Sequence, residues 1–76
     1  MKFNLQKLRY ERLSRRVSQV EMAEALNIPR SSYYKREVGT TNITVQEFST
    51  IISYLEIPEH EVMNFFTQEV PERELV

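Results

Sequence analysis

Ser18-Gln19-Val20-Glu21-Met22-Ala23-Glu24-Ala25-Leu26-Asn27-Ile28-Pro29-Arg30-Ser31-Ser32-Tyr33-Tyr34-Lys35-Arg36-Glu37-Val38-Gly39 carries two helix starts and two helix stops in close succession. Ser18 and Glu21 form a capping-box pattern, in which each side chain satisfies a backbone N–H of the other, and the apolar set Met22, Ala23 and Leu26 follows it. This predicts a helix over residues 19–26. Asn27 tolerates the left-handed conformation at a helix end, and Ile28-Pro29 forces an extended step. Pro29 suits the first position of a new helix, where its missing N–H costs nothing, and Gly39 ends that helix. Two short helices across so tight a turn cross steeply only if a small residue lies where they approach, and Ala23 is that residue. In this register Met22, Leu26, Ile28 and Tyr33 point inward, whereas Arg30, Ser31, Tyr34 and Lys35 point outward.

Working outward, Leu5, Leu8 and Leu13 with charges between them predict an earlier helix from about Asn4 to Arg15, with Asn4 accepting from its free N–H groups and Val17 turning inward after it. Thr44 and Glu47 repeat the capping box, and Val45, Phe48, Ile52 and Leu55 recur at intervals that put them on one helical face. Ile57-Pro58 breaks that helix. Glu59 and Glu61 then favour the positive end of a fifth helix, whose buried face is Val62, Phe65 and Phe66. The expected fold is all-α, a compact five-helix bundle. Residues 1–67 make one domain, and 68–76 read as a polar C-terminal tail or the start of a linker.

With 76 residues, 41% hydrophobic, 28% charged and one Gly, the composition suits a small soluble helical protein. A chain this short buries only about 60% of the surface its unfolded form exposes, so the core is thin. Cysteine is absent and His60 is the only histidine, so no metal or cofactor is implied. Residues 1–10 lack the apolar run of a signal peptide, and no stretch has transmembrane length, which places the chain in the cytoplasm. No nucleophile, base and orienting acid occur together, and Glu59 and Glu61 lie in a solvated run. An enzyme is not expected.

The net charge of −1 conceals a strong asymmetry. Residues 1–39 hold nine Lys and Arg against four Glu, a balance of +5, while residues 40–76 hold Arg73 against seven Glu, a balance of −6. A phosphate backbone would attract the first half and repel the second, so a nucleic-acid face belongs to the first. Mutual attraction of the two halves is the competing reading.

Ser18-Gln19, Met22-Ala23-Glu24, Ile28, Arg30-Ser31-Ser32, Lys35, Glu37 and Gly39 resemble the helix-turn-helix of phage repressor and Cro proteins, in the XRE-like family of bacterial and phage transcription regulators. The similarity covers about residues 5 to 57. It implies a lambda-repressor-like fold that binds double-stranded DNA sequence-specifically, with its third helix in the major groove. By position it implies that Gln19 grips a phosphate and helps orient the recognition helix, and that base contacts come from Pro29, Arg30, Ser31 and Lys35. Pro29 has no hydrogen-bonding side chain, which leaves Arg30, Ser31 and Lys35. A guanidinium can grip guanine O6 and N7 together, so Arg30 is the first choice. Ser18, Ser32, Tyr34 and Arg16 join Gln19 as phosphate contacts. The resemblance also implies a structural salt bridge between Arg12 and Glu37. The chain departs from the pattern at Arg36, usually a large apolar residue, at Asn27 and at Arg16, both usually Gly. Arg36 must either lay its stem along the core with its head in solvent, or let Tyr34 cover the gap.

Ile51, Tyr54, Met63 and Phe66 lie beside the core stripes of the last two helices. They form either a wide core or the contact of a homodimer on a palindromic operator. The alternative function is a protein-interaction module of the same fold, binding a partner regulator or toxin, and a further C-terminal domain is also open. Salt separates the two: DNA binding weakens steeply as salt rises, whereas an apolar interface hardly responds.

Overall fold

A computed structural model describes residues 2–67, and the 68–76 tail lies outside the described residues. The chain runs through β1 (Lys2–Phe3), α1 (Leu5–Ser14), α2 (Gln19–Leu26), α3 (Arg30–Val38), α4 (Val45–Tyr54), a 3₁₀ helix (Glu59–Phe65) and β2 (Phe66–Thr67). The five helical segments are the expected all-α bundle, with α2 packed on α3 and α4, and α1 on α3 and the 3₁₀ helix. Their core is Leu8, Met22, Ala23, Tyr33, Ile51, Leu55, Ile57 and Phe65.

The helix starts follow local chemistry. Asn4 Oδ1 accepts from the Lys7 N–H at 3.0 Å. Ser18 and Glu21 close their capping box at 3.0 and 2.8 Å, and Thr44 and Glu47 close theirs at 3.0 Å in both directions. α2 begins and ends at the residues its sequence indicates. Pro29 differs by one position: with ψ 152 it is the extended N-cap of α3, and Arg30 is the first helical residue.

The four α-helices end by one device. In each, a left-handed residue is followed by one whose N–H reaches back to the carbonyl five residues earlier, the Schellman arrangement. The left-handed residues are Arg16, Asn27, Gly39 and Glu56, and the returning bonds are Val17 to Arg12 at 3.1 Å, Ile28 to Ala23 at 3.0 Å, Thr40 to Lys35 at 2.8 Å and Ile57 to Ile52 at 3.0 Å. Val17, Ile28 and Ile57 then drop into or against the core, and Ser18, Pro29 and Pro58 cap the next helix. Gly39 has a second reason to be glycine, since an added Cβ would lie 3.0 Å from Leu5 Cδ1.

Two faces differ from their sequence reading. Leu13 is exposed and Arg12 buried, because Arg12 is four residues beyond Leu8 and faces the same way, while Leu13 is turned well away. In α4 the buried stripe centres on Phe48, Ile51, Ile52 and Leu55, the i, i+3, i+4, i+7 set. Val45, in the first turn, is 85% exposed. Ile51 is fully buried in the monomer and therefore does not belong to a dimer surface.

The fifth segment is tighter than an α-helix, with Glu61 N–H bonded to Pro58 O at 2.9 Å. Phe65 is fully buried, Val62, three residues earlier, is only half-buried and is not among the side chains packed on the core, and Met63 stands outside, 61% exposed. Phe66 leaves the helix: it pairs with Phe3 in a two-residue antiparallel ribbon, alongside Lys2 with Thr67. Asn4 N–H donates to Phe65 O at 2.5 Å beside it. The ribbon gathers Phe3, Phe48, Phe65 and Phe66 into an edge-to-face cluster with centroids 5.3 to 6.2 Å apart. Phe66 is thus part of an intramolecular aromatic cluster and not a helical surface residue.

Glu56 is doubly unfavourable where it stands: left-handed without being Gly or Asn, and an anion at the negative end of α4. Glu56→Gly is expected to raise stability by about 1 kcal/mol, measured by urea unfolding with an unchanged m-value.

Candidate nucleic-acid interface

Glu37, near the C-terminus of α3, is buried and receives donors from three helices. Arg12 of α1 grips it with both ends of its fork, Nε to Oε2 at 2.8 Å and Nη2 to Oε1 at 2.9 Å. Tyr33 Oη donates to Oε2 at 2.6 Å, and Gln19 Nε2 of α2 donates to Oε1 at 3.2 Å. Arg12 also donates through Nη1 to Val17 O at 2.8 Å, so the same guanidinium braces the α1–α2 turn. Burial pushes the Glu37 carboxyl up, but the bonds from Arg12, Tyr33 and Gln19 outweigh it and hold it below the ordinary carboxylate range. Burial, reinforced by Glu37, pushes the Tyr33 phenol far above its ordinary range.

From this hub the network extends to the surface. Gln19 Oε1 accepts from Arg30 Nη1 at 2.9 Å, which ties the start of α2 to the start of α3. Around the tie, Arg16, Ser18, Arg30, Ser31, Tyr34 and Lys35 are exposed, and Ser32 is half-buried. On α3, positions 30, 31, 34 and 35 fall within one side of the helix. Ser18 Oγ uses a lone pair for its cap, which leaves its proton for an outside acceptor.

The cations divide into two groups. Lys7 pairs with Glu11 and Glu61, Arg15 with Glu11, Arg12 with Glu37 and Arg36 with Glu47. Arg9 reaches Glu37 only at 3.9 Å and is mostly exposed. Among the described residues, Arg16, Arg30 and Lys35 have no carboxylate partner. The positive balance of the first half is therefore partly spent inside the fold, and what remains includes these three.

Two arginines reach partners far along the chain, and the first departs from its sequence reading. Arg36 neither extends its head into solvent nor is covered by Tyr34, which is 48% exposed. Its Nε donates to Glu47 Oε1 at 3.0 Å and its Nη1 to Ser32 O at 2.9 Å, so the capping-box glutamate of α4 also fastens α3. Arg15, just after α1, donates from Nε to Leu55 O at 2.7 Å and caps the carbonyl end of α4. Neither contact has a local signal, because the partners lie far apart in sequence. Tyr54 and Met63 are exposed and stay available to a partner.

This arrangement defines an all-helical DNA-binding domain in which α2 and α3 form a helix-turn-helix. The chain belongs to the helix-turn-helix family of Cro/C1 type, whose profile it matches over residues 8–62. The family binds double-stranded DNA and serves in transcription regulation. Comparison with curated proteins and with solved structures gives no match. Among the described residues no helix is long and apolar enough to cross a membrane.

Removing one partner of a buried pair leaves the other charge uncompensated, so Glu37→Ala is expected to cost about 3 kcal/mol, read as a lower unfolding midpoint. Glu11, Glu37 and Glu47 all have lowered folded-state pKa values. For a depressed carboxylate the unfolded chain binds more protons, so the stabilisation is complete above the unfolded value of about 4.3 and is lost as pH falls through the folded value. Melting temperature should therefore drop steeply below pH about 4.3, and Glu47→Gln should flatten that slope.

Proposed function

We propose that the chain is a sequence-specific transcription regulator, acting in the cytoplasm as a repressor, whose residues 1–67 bind as a homodimer to a palindromic operator with α3 in the major groove. In this reading Arg30, Ser31 and Lys35 contact base edges, and Arg16, Ser18, Gln19, Ser32 and Tyr34 contact phosphates. The observation that carries it is the division of the cations. Arg16, Arg30 and Lys35 lack carboxylate partners among the described residues; Arg16 lies in the turn just before α2, and Arg30 and Lys35 lie on α3. Exposed and without a carboxylate to neutralise them, they keep their charge for phosphate and base acceptors. Tyr54 and Met63, exposed on the last two helices, are the proposed dimer contacts.

Selection of bound duplexes from a random pool tests this. A preferred palindrome should emerge, and Arg30→Ala should relax preference at one position of each half-site, at a cost of about 1–3 kcal/mol. Binding without base preference, or affinity indifferent to salt, would instead favour a protein-interaction module.

Arg16 gives a second test. As a left-handed arginine it costs stability and keeps a cation beside the start of α2. Arg16→Gly should stabilise the fold by about 1 kcal/mol yet weaken binding to all sequences alike and lower the salt slope by about 1.

A further inference from the structure

α1 is turned partly inside out. It buries Glu11 and Arg12, yet leaves Tyr10 67% and Leu13 56% exposed. At about 100° per residue, Gln6, Tyr10 and Leu13 fall within roughly 60° of one another on the side opposite Leu8, and Gln6 is exposed as well. Both flanks of this stripe are defined. On one, Lys7 turns to the 3₁₀ helix and is neutralised by Glu11 and Glu61. On the other, Arg9 leans toward α3 but comes only within 3.9 Å of Glu37, whose oxygens already accept from Arg12, Tyr33 and Gln19. Beside Arg9 a groove of about 290 Å³ runs between α1 and the end of α3, with the exposed Val38 in its wall. The one carboxylate of α1, Glu11, is buried. The outer face of α1 therefore carries apolar side chains and a cation, and no anion.

We propose that this face is a docking site for an acidic amphipathic helix of another protein, whose apolar stripe packs on Tyr10 and Leu13 and whose carboxylates meet Arg9 along the groove. Charge selects that occupant. A two-fold contact between copies of this chain would set Arg9 against Arg9 with no carboxylate to separate them. A phosphate backbone would find a cation there, but it gains nothing from Leu13. An acidic helix suits both parts of the surface, because it takes the two apolar side chains out of water and sets an opposite charge against Arg9. Gln6, Arg9, Tyr10 and Leu13 include none of the proposed DNA contacts, so the docking site stands or falls independently of the operator reading.

Selection on the full chain from a phage-displayed library of random peptides about four helical turns long tests this. Enriched peptides should combine Asp or Glu with Leu or aromatic residues at helical spacing. The best of them, synthesised and titrated by fluorescence anisotropy, should lose about tenfold in affinity on the double variant Tyr10→Gln, Leu13→Gln. Glutamine keeps helix propensity at these exposed positions, and circular dichroism should show an intact fold. Arg9→Gln should cost about fivefold, a loss that shrinks as salt rises. The same peptide with its Glu and Asp replaced by Gln and Asn should bind the unaltered chain as weakly, which checks the charge contact without touching the fold. Operator affinity of the Tyr10, Leu13 double variant should be unchanged. No enrichment, enrichment of basic or uncharged peptides, or peptide binding that survives the double substitution overturns the proposal. So does a smaller species in sedimentation of the double variant, which gives the face to a second copy, or an equal loss of its affinity for every duplex, which gives the face to DNA.

Discussion

The Glu37 carboxylate is the point on which the helices depend. A charge removed from water costs several kcal/mol unless its surroundings satisfy it, and here two nitrogens of Arg12, the Tyr33 hydroxyl and the Gln19 amide do so. Those donors come from α1, α2 and α3. Because the anion tolerates no missing donor, the three helices have one favourable arrangement, where an apolar contact of the same size would permit several. The helix that faces DNA is therefore located by a buried charge as much as by packing. Its opposite side, with Tyr33 in the core, supplies the apolar part of the anchorage.

Short connections complete the geometry. Arg16-Val17-Ser18, Asn27-Ile28-Pro29 and Glu56-Ile57-Pro58 are three versions of one joint: a left-handed residue, an apolar plug and a cap. Each joint returns an N–H to the carbonyls of one helix and supplies the N-cap residue of the next with no residue to spare, and only Ser18 adds a side-chain cap. Only the middle joint uses a residue that favours the left-handed region. The other two carry charged side chains, so the joints sit at unequal distances from their conformational optimum, and the α2–α3 turn is the least strained.

Much of this was legible in the sequence, and the boundary of legibility has a physical cause. Capping boxes, the Asn27 stop and the Ile-Pro steps act over three or four residues, so α2 could be read to its last residue and the inward Met22 and Tyr33 with it. Ile51 misled because a face inferred from Val45 is rotated from the true one; Val45 points away from the bundle and is left in water. The Phe3–Phe66 ribbon was invisible because two residues carry no periodicity. At the site, which residues point outward could be read from helical spacing. Which cations were already neutralised could not, since Arg36 to Glu47 and Arg15 to Leu55 join residues whose proximity only the folded chain creates. The orientation of the Gln19 amide belongs to the same class.

The ribbon that sets Lys2 beside Thr67 has a mechanical side. Paired strands lie about 5 Å apart, so the polypeptide enters and leaves the described fold through a single port. Anything joined before Lys2 or after Thr67 would hang from one pivot, and a pull applied across the two would peel the ribbon like a zipper before it loaded the helices. The bundle could likewise be spliced into a loop of a host protein with little distortion of either, because the gap it must bridge is no wider than one strand spacing.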